Sequence, residues 1–196
     1  MAVIPEAEEA NSSKLSDINA ILYQMSGQKS AFPKLNNFLV KRGISDKQVK
    51  ELINYSKKDS LVKKFTSDTK RFKDLSSYEA WRTNGKSIYT LTNREGDLLG
   101  IIWFSKKSSG FLHYPFTFGI RTYGGARGKG LARNFMQSSF EAFTRSKTYT
   151  SSREKGVWLE VTPENVHAIK LYADFGFKEA GNSQKGKIIM LFTPRY

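Results

Sequence analysis

Tyr123-Gly-Gly-Ala-Arg127-Gly-Lys-Gly-Leu-Ala132 is the stretch that decides how this chain is read. It follows Pro115–Tyr123 (Pro-Phe-Thr-Phe-Gly-Ile-Arg-Thr-Tyr), which reads as a strand. It precedes a run in which Leu131, Phe135, Met136, Ala142 and Phe143 lie near one helical face. A glycine-rich turn from strand to helix presents free backbone N–H groups where the helix carries partial positive charge. That arrangement suits an anion. Gly128 and Gly130 take away side chains that would keep a phosphate at a distance, and Arg127 and Lys129 add charge beside it. Together these features suit a pyrophosphate. The stretch is not a Walker loop, because no Gly-Lys-Ser/Thr follows the required spacing, and the strand order is wrong for a Rossmann turn. Taken alone, it is also compatible with a turn that only reverses the chain.

Working outward, Val157–Val161 is a buried-looking strand and Thr162-Pro163 is expected to open a helix with a good N-cap and a proline at its first position. On that helix Asn165, Ala168 and Tyr172 share a face, and Gly176 ends it. The last stretch, through Lys187–Thr193, reads as one or two antiparallel strands. In the other direction, Ser87–Asn93 and Leu98–Ser105 form a hairpin about the turn Arg94–Asp97. The order from Ser87 is β-β-β-α-β-α-β-β. It predicts an α/β fold with a mixed, mostly antiparallel central sheet flanked by helices.

Before Ser87 the pattern is helical. Leu15, Ile18, Ile21, Leu22 and Met25 recur at helical spacing from Ser13 until Gly27. Ala31–Gly43 is ambiguous between strand and helix. A helix starts at Ile44-Ser45-Asp46 and continues through Val49, Leu52 and Ile53. Leu61, Val62 and Phe65 cluster next, and Phe72, Leu75, Tyr78 and Trp81 form a stripe ended by Asn84-Gly85. The expected organisation is a mobile acidic tail over 1–13, a mainly helical region over 14–85, and a core over 86–196.

Composition narrows the chemistry. The 196 residues contain no cysteine, which removes disulfides and thiolate catalysis. Only His113 and His167 could supply imidazole; neither has an obvious carboxylate companion, so no metal site is expected. No apolar run approaches the ~20 residues of a membrane span and no signal-peptide pattern opens the chain, so a cytoplasmic location without membrane contact is expected. The formal charge of +14, from 32 basic and 18 acidic residues, favours anionic partners such as RNA or a ribosome, or it serves solubility. Lys57, Lys58, Lys63, Lys64, Lys70, Arg71 and Lys73 could hold RNA or form a solvated face.

Arg127-Gly-Lys-Gly130-Leu-Ala132 resembles the Arg/Gln-x-x-Gly-x-Gly/Ala signature of the GNAT superfamily of N-acetyltransferases. Asn165-x-x-Ala-x-x-Leu-Tyr172-x-x-x-Gly-Phe177 resembles that family's second signature. The two motifs stand in the right order, separated by one helix and one strand, and the resemblance covers roughly residues 86–193. One departure is Gly124, where the family often has proline. The resemblance implies acetyl-CoA as cosubstrate, with its pyrophosphate on the amides of Arg127, Gly128, Lys129, Gly130, Leu131 and Ala132. It implies that the strand around Ile120 and Thr122 pairs with the pantetheine arm, that Asn165 belongs to the cofactor site, and that the N-terminal helices lie on the acceptor side.

Transfer to a primary amine needs a neutral nucleophile, because a lysine amine (pKa ~10.4) is almost wholly protonated at neutral pH. A base must take a proton, and the departing thiolate gains from a donor. Tyr172 supplies a phenol for the second role. Glu160 is the candidate base, since a carboxylate inside Val157–Val161 is expected to be buried and its pKa raised. Trp158-Leu-Glu-Val161 followed by the asparagine helix is similar to the ribosomal-protein alanine N-acetyltransferases, which implies those same two roles. His113 is a second candidate base, and His167 is expected to face solvent. The leading expectation is acetyl transfer to a primary amine, on a protein or peptide, by direct attack. The alternatives are an enzyme acting on aminoacyl-tRNA and a non-catalytic module of the same fold that binds RNA or a ribosome. The acceptor and the oligomeric state are left open.

Overall fold

The computed structural model describes residues 37–194, apart from Asn84 and Ser109. The expected tail over 1–13 and the helix from Ser13 to Gly27 lie outside the described residues. Lys34–Tyr196 forms one compact unit.

A seven-stranded sheet organises it, in the order β1-β2-β3-β4-β5-β7-β6. The strands are β1 (Leu39–Arg42), β2 (Ser87–Thr92), β3 (Leu98–Lys106), β4 (Phe116–Thr122), β5 (Val157–Val161), β6 (Lys178–Asn182) and β7 (Ile188–Phe192). Every neighbouring pair is antiparallel except β4 and β5. The mixed, mostly antiparallel sheet read from the sequence is therefore present. The ambiguity over Ala31–Gly43 resolves as β1 for Leu39–Arg42, paired along β2 from Leu39↔Thr92 to Arg42↔Tyr89.

Helices cover both faces. On one side lie α1 (Asp46–Lys58), α2 (Ser60–Phe65), the single turn α3 (Asp68–Arg71) and α4 (Leu75–Arg82). Ser45 caps α1 in a capping box with Gln48, as the Ile44-Ser45-Asp46 start predicts. Val49, Leu52, Val62, Phe72 and Tyr78 bury against Ile88, Leu98, Ile101 and Trp103 of the sheet. The expected stripe through Leu75 breaks: Leu75 begins α4 and is exposed, because Asp74 caps the helix there and Phe72 packs edge-on against Trp81 from outside it.

The other side carries α5 (Leu131–Thr144), the turn α6 (Lys147–Thr150) and α7 (Val166–Phe175). Phe104, Phe116, Phe118, Phe135, Phe140 and Phe143 form the larger core there, with Phe104 and Phe143 stacked at 4.0 Å. Burying side chains of this size, each worth about 1.5–3 kcal/mol, fixes α5 on the sheet.

The start of α7 differs from expectation. Thr162-Pro163 does not open the helix. The Thr162 carbonyl instead accepts the Asn165 N–H at 2.9 Å, which closes a turn with Pro163 at its second position. Asn165 is the N-cap, and its side chain accepts from the Ala168 N–H. Asparagine offers that acceptor where it is needed, and the proline, with φ already set, serves the turn. Gly176 ends the helix in the left-handed conformation, as predicted.

Candidate active site

The parallel pair β4–β5 holds the site. The two strands are in register only at Phe116↔Val157 and Thr117↔Trp158, and beyond Thr117 no rungs join them. β3 covers β4 along its whole length, from Lys106↔Phe116 to Gly100↔Thr122. The Tyr123 N–H donates to the Leu99 carbonyl at 2.9 Å, so Tyr123, Arg121 and Gly119 take the positions that exchange hydrogen bonds with β3. By the alternation of an antiparallel ladder, Ile120 and Thr122 turn their N–H and C=O groups the other way, into the gap beside β5. The sheet thus splits into a wedge with an unpaired strand edge along one wall. An extended chain carrying amides can complete such an edge.

The wedge leads to the Tyr123–Gly130 loop. Its tight turn is closed by bonds from the Ala126 and Arg127 N–H groups to the Tyr123 carbonyl. Gly128 and Gly130 have φ of 73° and 67°, a region costly for residues with a Cβ. Gly130 is the N-cap of α5; it supplies no side-chain cap, and the first turn holds no acidic residue. Gly128, Gly130, Leu131 and Ala132 donate to no backbone carbonyl among the described residues. A 14-residue helix therefore presents an uncapped N-terminus beside the open end of the wedge.

The charge of the loop is not placed as expected. Arg127 does not stand free for a phosphate. Its Nη1 and Nη2 lie 2.8 and 3.0 Å from the Asp59 carboxylate, because Asp59 caps α2 and needs a cation. Burial pushes the Asp59 carboxyl up, but bonds from Arg127 and from the Val62 and Leu61 N–H groups outweigh it and hold the carboxyl below its usual range. Lys129 is exposed, with its ammonium 5.7 Å from the Phe38 ring centre.

Tyr172, on α7, is buried in the larger core beside β4. Its ring packs edge-on against Phe118 at 6.1 Å and lies 5.8 Å from Phe177. Burial pushes its phenol up, and the Arg121 guanidinium pulls in the opposite direction. The proton is thus held firmly on oxygen. Asn165 lies at the other end of α7, where its side chain is spent on the cap.

Glu160 departs from the reading that singled it out. Along β5 every position but one is buried, and Glu160 is the exposed one. Val157, Leu159 and Val161 enter the larger core, while Trp158 and Glu160 turn to the face that carries α1–α4. Trp158 is covered and donates to the Lys107 carbonyl; Glu160 meets solvent. The expectation of a buried carboxylate is corrected: the continuous apolar run hid a strand with two distinct faces.

The histidines differ too. His113 does have a carboxylate companion, Glu154, whose Oε2 lies 2.5 Å from Nδ1. The pair lines a shallow hollow of about 470 Å³ with Phe111, Leu112 and Tyr114, at the end of β4 away from the wedge. His167 is exposed on α7, as expected. No group of three metal-binding side chains occurs among the described residues.

A split parallel pair, an uncapped helix N-terminus and the Tyr172 ring packed on Phe118 thus stand around one strand, β4. The description "Acetyltransferase (GNAT) family" belongs to the family model that matches residues 49–177, most of the chain. The chain belongs to the GNAT family. The match begins well before Ser87, so α2–α4 and most of α1 fall within it. No curated protein matches the chain significantly by sequence. Among solved structures it resembles spermidine N-acetyltransferase from Vibrio cholerae in complex with CoA and spermine. That likeness has a TM-score of 0.60 at 16% identity and covers 80% of this chain and 95% of that one. It also resembles a ribosomal-protein alanine acetyltransferase from Vibrio fischeri (TM-score 0.58, 14% identity, 80% and 93% covered). A third likeness is to an aminoglycoside acetyltransferase in complex with coenzyme A (TM-score 0.60, 15% identity, 79% and 95% covered). The GNAT enzymes use acetyl-CoA, so this chain is an acetyl-CoA-dependent acyltransferase. No described helix is long and apolar enough to cross a membrane.

Arg121, Asp68 and Asp59 were not singled out from the sequence. Arg121 had a signal, since Phe116–Thr122 (Phe-Thr-Phe-Gly-Ile-Arg-Thr) places a charge inside an apolar strand. The two aspartates sit in short polar turns, and only the fold reveals their partners.

Proposed function

We propose that the chain transfers an acetyl group to a primary amine by direct attack, with Tyr172 as the proton donor and Glu160 as the base. The observation that carries this reading is the unpaired edge of β4 between the uncapped α5 N-terminus and the Tyr172 phenol. In this reading Ile120 and Thr122 hold the pantetheine amides through their backbone, and the amides of Gly128, Lys129, Gly130, Leu131 and Ala132 hold the pyrophosphate. Arg127 fixes the loop through Asp59, and Asn165 sets the start of α7 so that Tyr172 falls at the wedge. Acetyl-CoA supplies the activated acetyl thioester. Tyr172 keeps its Oη proton through burial and yields it to the leaving sulfur. Glu160, exposed on the face that carries α1–α4, takes the proton of the amine through solvent.

The test is acetyl-CoA binding and consumption with a panel of amines: peptides with free α-amines, polyamines, aminoglycosides and aminoacyl-tRNA. A gain in melting temperature with acetyl-CoA and turnover of one panel class support the reading. No thermal gain and no consumption sink it.

A second reading places the amine on an anionic macromolecule. Between Lys57 and Lys73, Lys57, Lys58, Lys63, Lys64, Lys70 and Lys73 are all exposed. The two carboxylates among them, Asp59 and Asp68, are turned inward onto arginines. The exposed charge is therefore of one sign. Binding of a tRNA that falls steeply with salt, while acetyl-CoA binding falls little, would favour it.

A further inference from the structure

The wedge has a cation at its edge that the reading above does not use. Arg121 projects from β4 toward α1–α4, opposite Ile101 in the ladder. Its Nε and Nη2 donate to Asp68 at 2.6 and 3.2 Å, and its guanidinium lies 4.9 Å from the Trp103 ring centre. Asp68 is only 1% exposed, and Arg71 binds the same carboxylate from within α3. Two guanidiniums share one carboxylate, so the cluster keeps a net positive charge in a poorly hydrated place. A group that only pinned α3 to the sheet would not need that surplus, since one arginine neutralises Asp68.

The remaining contact gives its direction. Arg121 Nη1 donates to the carbonyl of Ile120 at 2.8 Å. That carbonyl faces the gap between β4 and β5, so the guanidinium meets the wedge from the side of α1–α4, while the Tyr172 ring packs on Phe118, two residues before Ile120 and on the opposite face of β4. We propose that Arg121, clamped by Asp68, is a positioning residue that acts through Tyr172, steadying the negative charge left on Oη when that hydroxyl gives up its proton. The assignment rests on the wedge being the acetyl-CoA site. In the transfer a nitrogen–carbon bond forms and the carbon–sulfur bond breaks with its electron pair on sulfur. The Oη proton goes to that sulfur; Glu160 takes the ammonium proton that frees the amine for attack, and the second proton, shed once the nitrogen–carbon bond has formed, returns to Oη. For that interval a phenolate stands in a desolvated site. Arg121 is the charge that opposes the desolvation of Tyr172, and the charged and titratable groups around Arg121 itself are Asp68, Arg71, Tyr123 and Tyr172.

The experiment pairs a titration with a mutant cycle. Ring-labelled tyrosine NMR on the cofactor-free protein follows Tyr172 in the wild type and in Arg121→Gln. The variant is expected to ionise Tyr172 about one pH unit higher. In turnover, Arg121→Gln is expected to lower kcat about 10- to 100-fold in the wild-type background and less than about 2-fold in Tyr172→Phe, with the KM for acetyl-CoA little changed. Arg121→Lys, which keeps the charge against Asp68, recovers part of kcat and carries both readouts if the glutamine variant does not fold. Tyr172 ionising at the same pH in both proteins, or staying protonated to the same alkaline limit, overturns the assignment. So does an equal fractional loss of kcat in both backgrounds. A wild type that neither binds nor consumes acetyl-CoA overturns this assignment together with the functional reading, whereas equal titrations with an active wild type overturn this assignment alone.

Discussion

Asp59 and Arg127 hold each other at 2.8 and 3.0 Å, and so join the cap of α2 on one face of the sheet to the loop that feeds α5 on the other. The same carboxylate accepts the Leu61 and Val62 N–H groups. Asp59→Ala loses the cap and the pair together and is expected to cost about 1–3 kcal/mol of stability. Asp59→Asn keeps a capping oxygen and loses only the charge. The carboxyl lies below its ordinary value in the folded protein, so its contribution is present above the unfolded value near ~3.9 and is lost as pH falls through the folded value. Melts of the wild type and Asp59→Asn should therefore differ at pH 6 and converge below about pH 4. A constant difference across that range would show that the charge is not what matters.

The same pairing separates Arg127 from its glycine neighbours. With its guanidinium committed to Asp59, Arg127→Ala is expected to lower the melting temperature more than it weakens acetyl-CoA binding. Gly130→Ala does the reverse. Its φ of 67° penalises any Cβ, by about 1–2 kcal/mol, and under the proposed pyrophosphate site the added methyl group would crowd the anion. A loss of acetyl-CoA affinity of about tenfold or more is expected by calorimetry. Unchanged affinity in Gly130→Ala would remove the loop from the cofactor site.

Glu160 offers a cleaner separation of chemistry from stability. It is exposed on β5 between the covered Leu159 and Val161, so Glu160→Gln should leave stability within about 0.5 kcal/mol. As the base it should lower kcat about 100-fold. An unaltered kcat would hand the role to solvent or to the acceptor itself.

Much of this was legible in the sequence, for definite reasons. The strand order from Ser87 could be read because the strands other than β6 are bounded by turns and carry β-branched or aromatic residues, whereas β6 (Lys-Glu-Ala-Gly-Asn) carries neither. The loop from Tyr123 to Gly130 could be read because glycines at left-handed positions leave few alternatives. Glu160 misled because Val157–Val161 looks uniformly apolar, whereas Trp158 covers its own face locally and leaves Glu160 to solvent. The rule that drew notice to Glu160, a charge inside an apolar strand, applies with equal force to Arg121, and there the charge is largely enclosed. What no local pattern could supply was pairing at long range. Asp68 meets Arg121, and Asp59 meets Arg127, only after the helices have folded over the sheet. Thr162-Pro163 misled for a smaller reason: proline suits the second position of a turn as well as the first of a helix, and Asn165 was the better cap.

Tyr172→Phe is the substitution that weighs most on the functional reading. The ring meets Phe118 and Phe177 through its edges and faces, so phenylalanine keeps the packing and stability should change little. The hydroxyl is what is lost. If it protonates the leaving sulfur, kcat falls about 100-fold or more while acetyl-CoA affinity stays within about twofold. The pH dependence follows from its surroundings. Burial pushes the phenol above its ordinary value near ~10, with Arg121 opposing in part, so the acid form persists through the neutral and mildly alkaline range. The wild type should therefore show no loss of kcat from this group below about pH 10. A decline of kcat near pH 8 that disappears in Tyr172→Phe would assign the phenol an acidity that its burial does not permit. A parallel fall of affinity and kcat would instead mean that the hydroxyl serves binding alone.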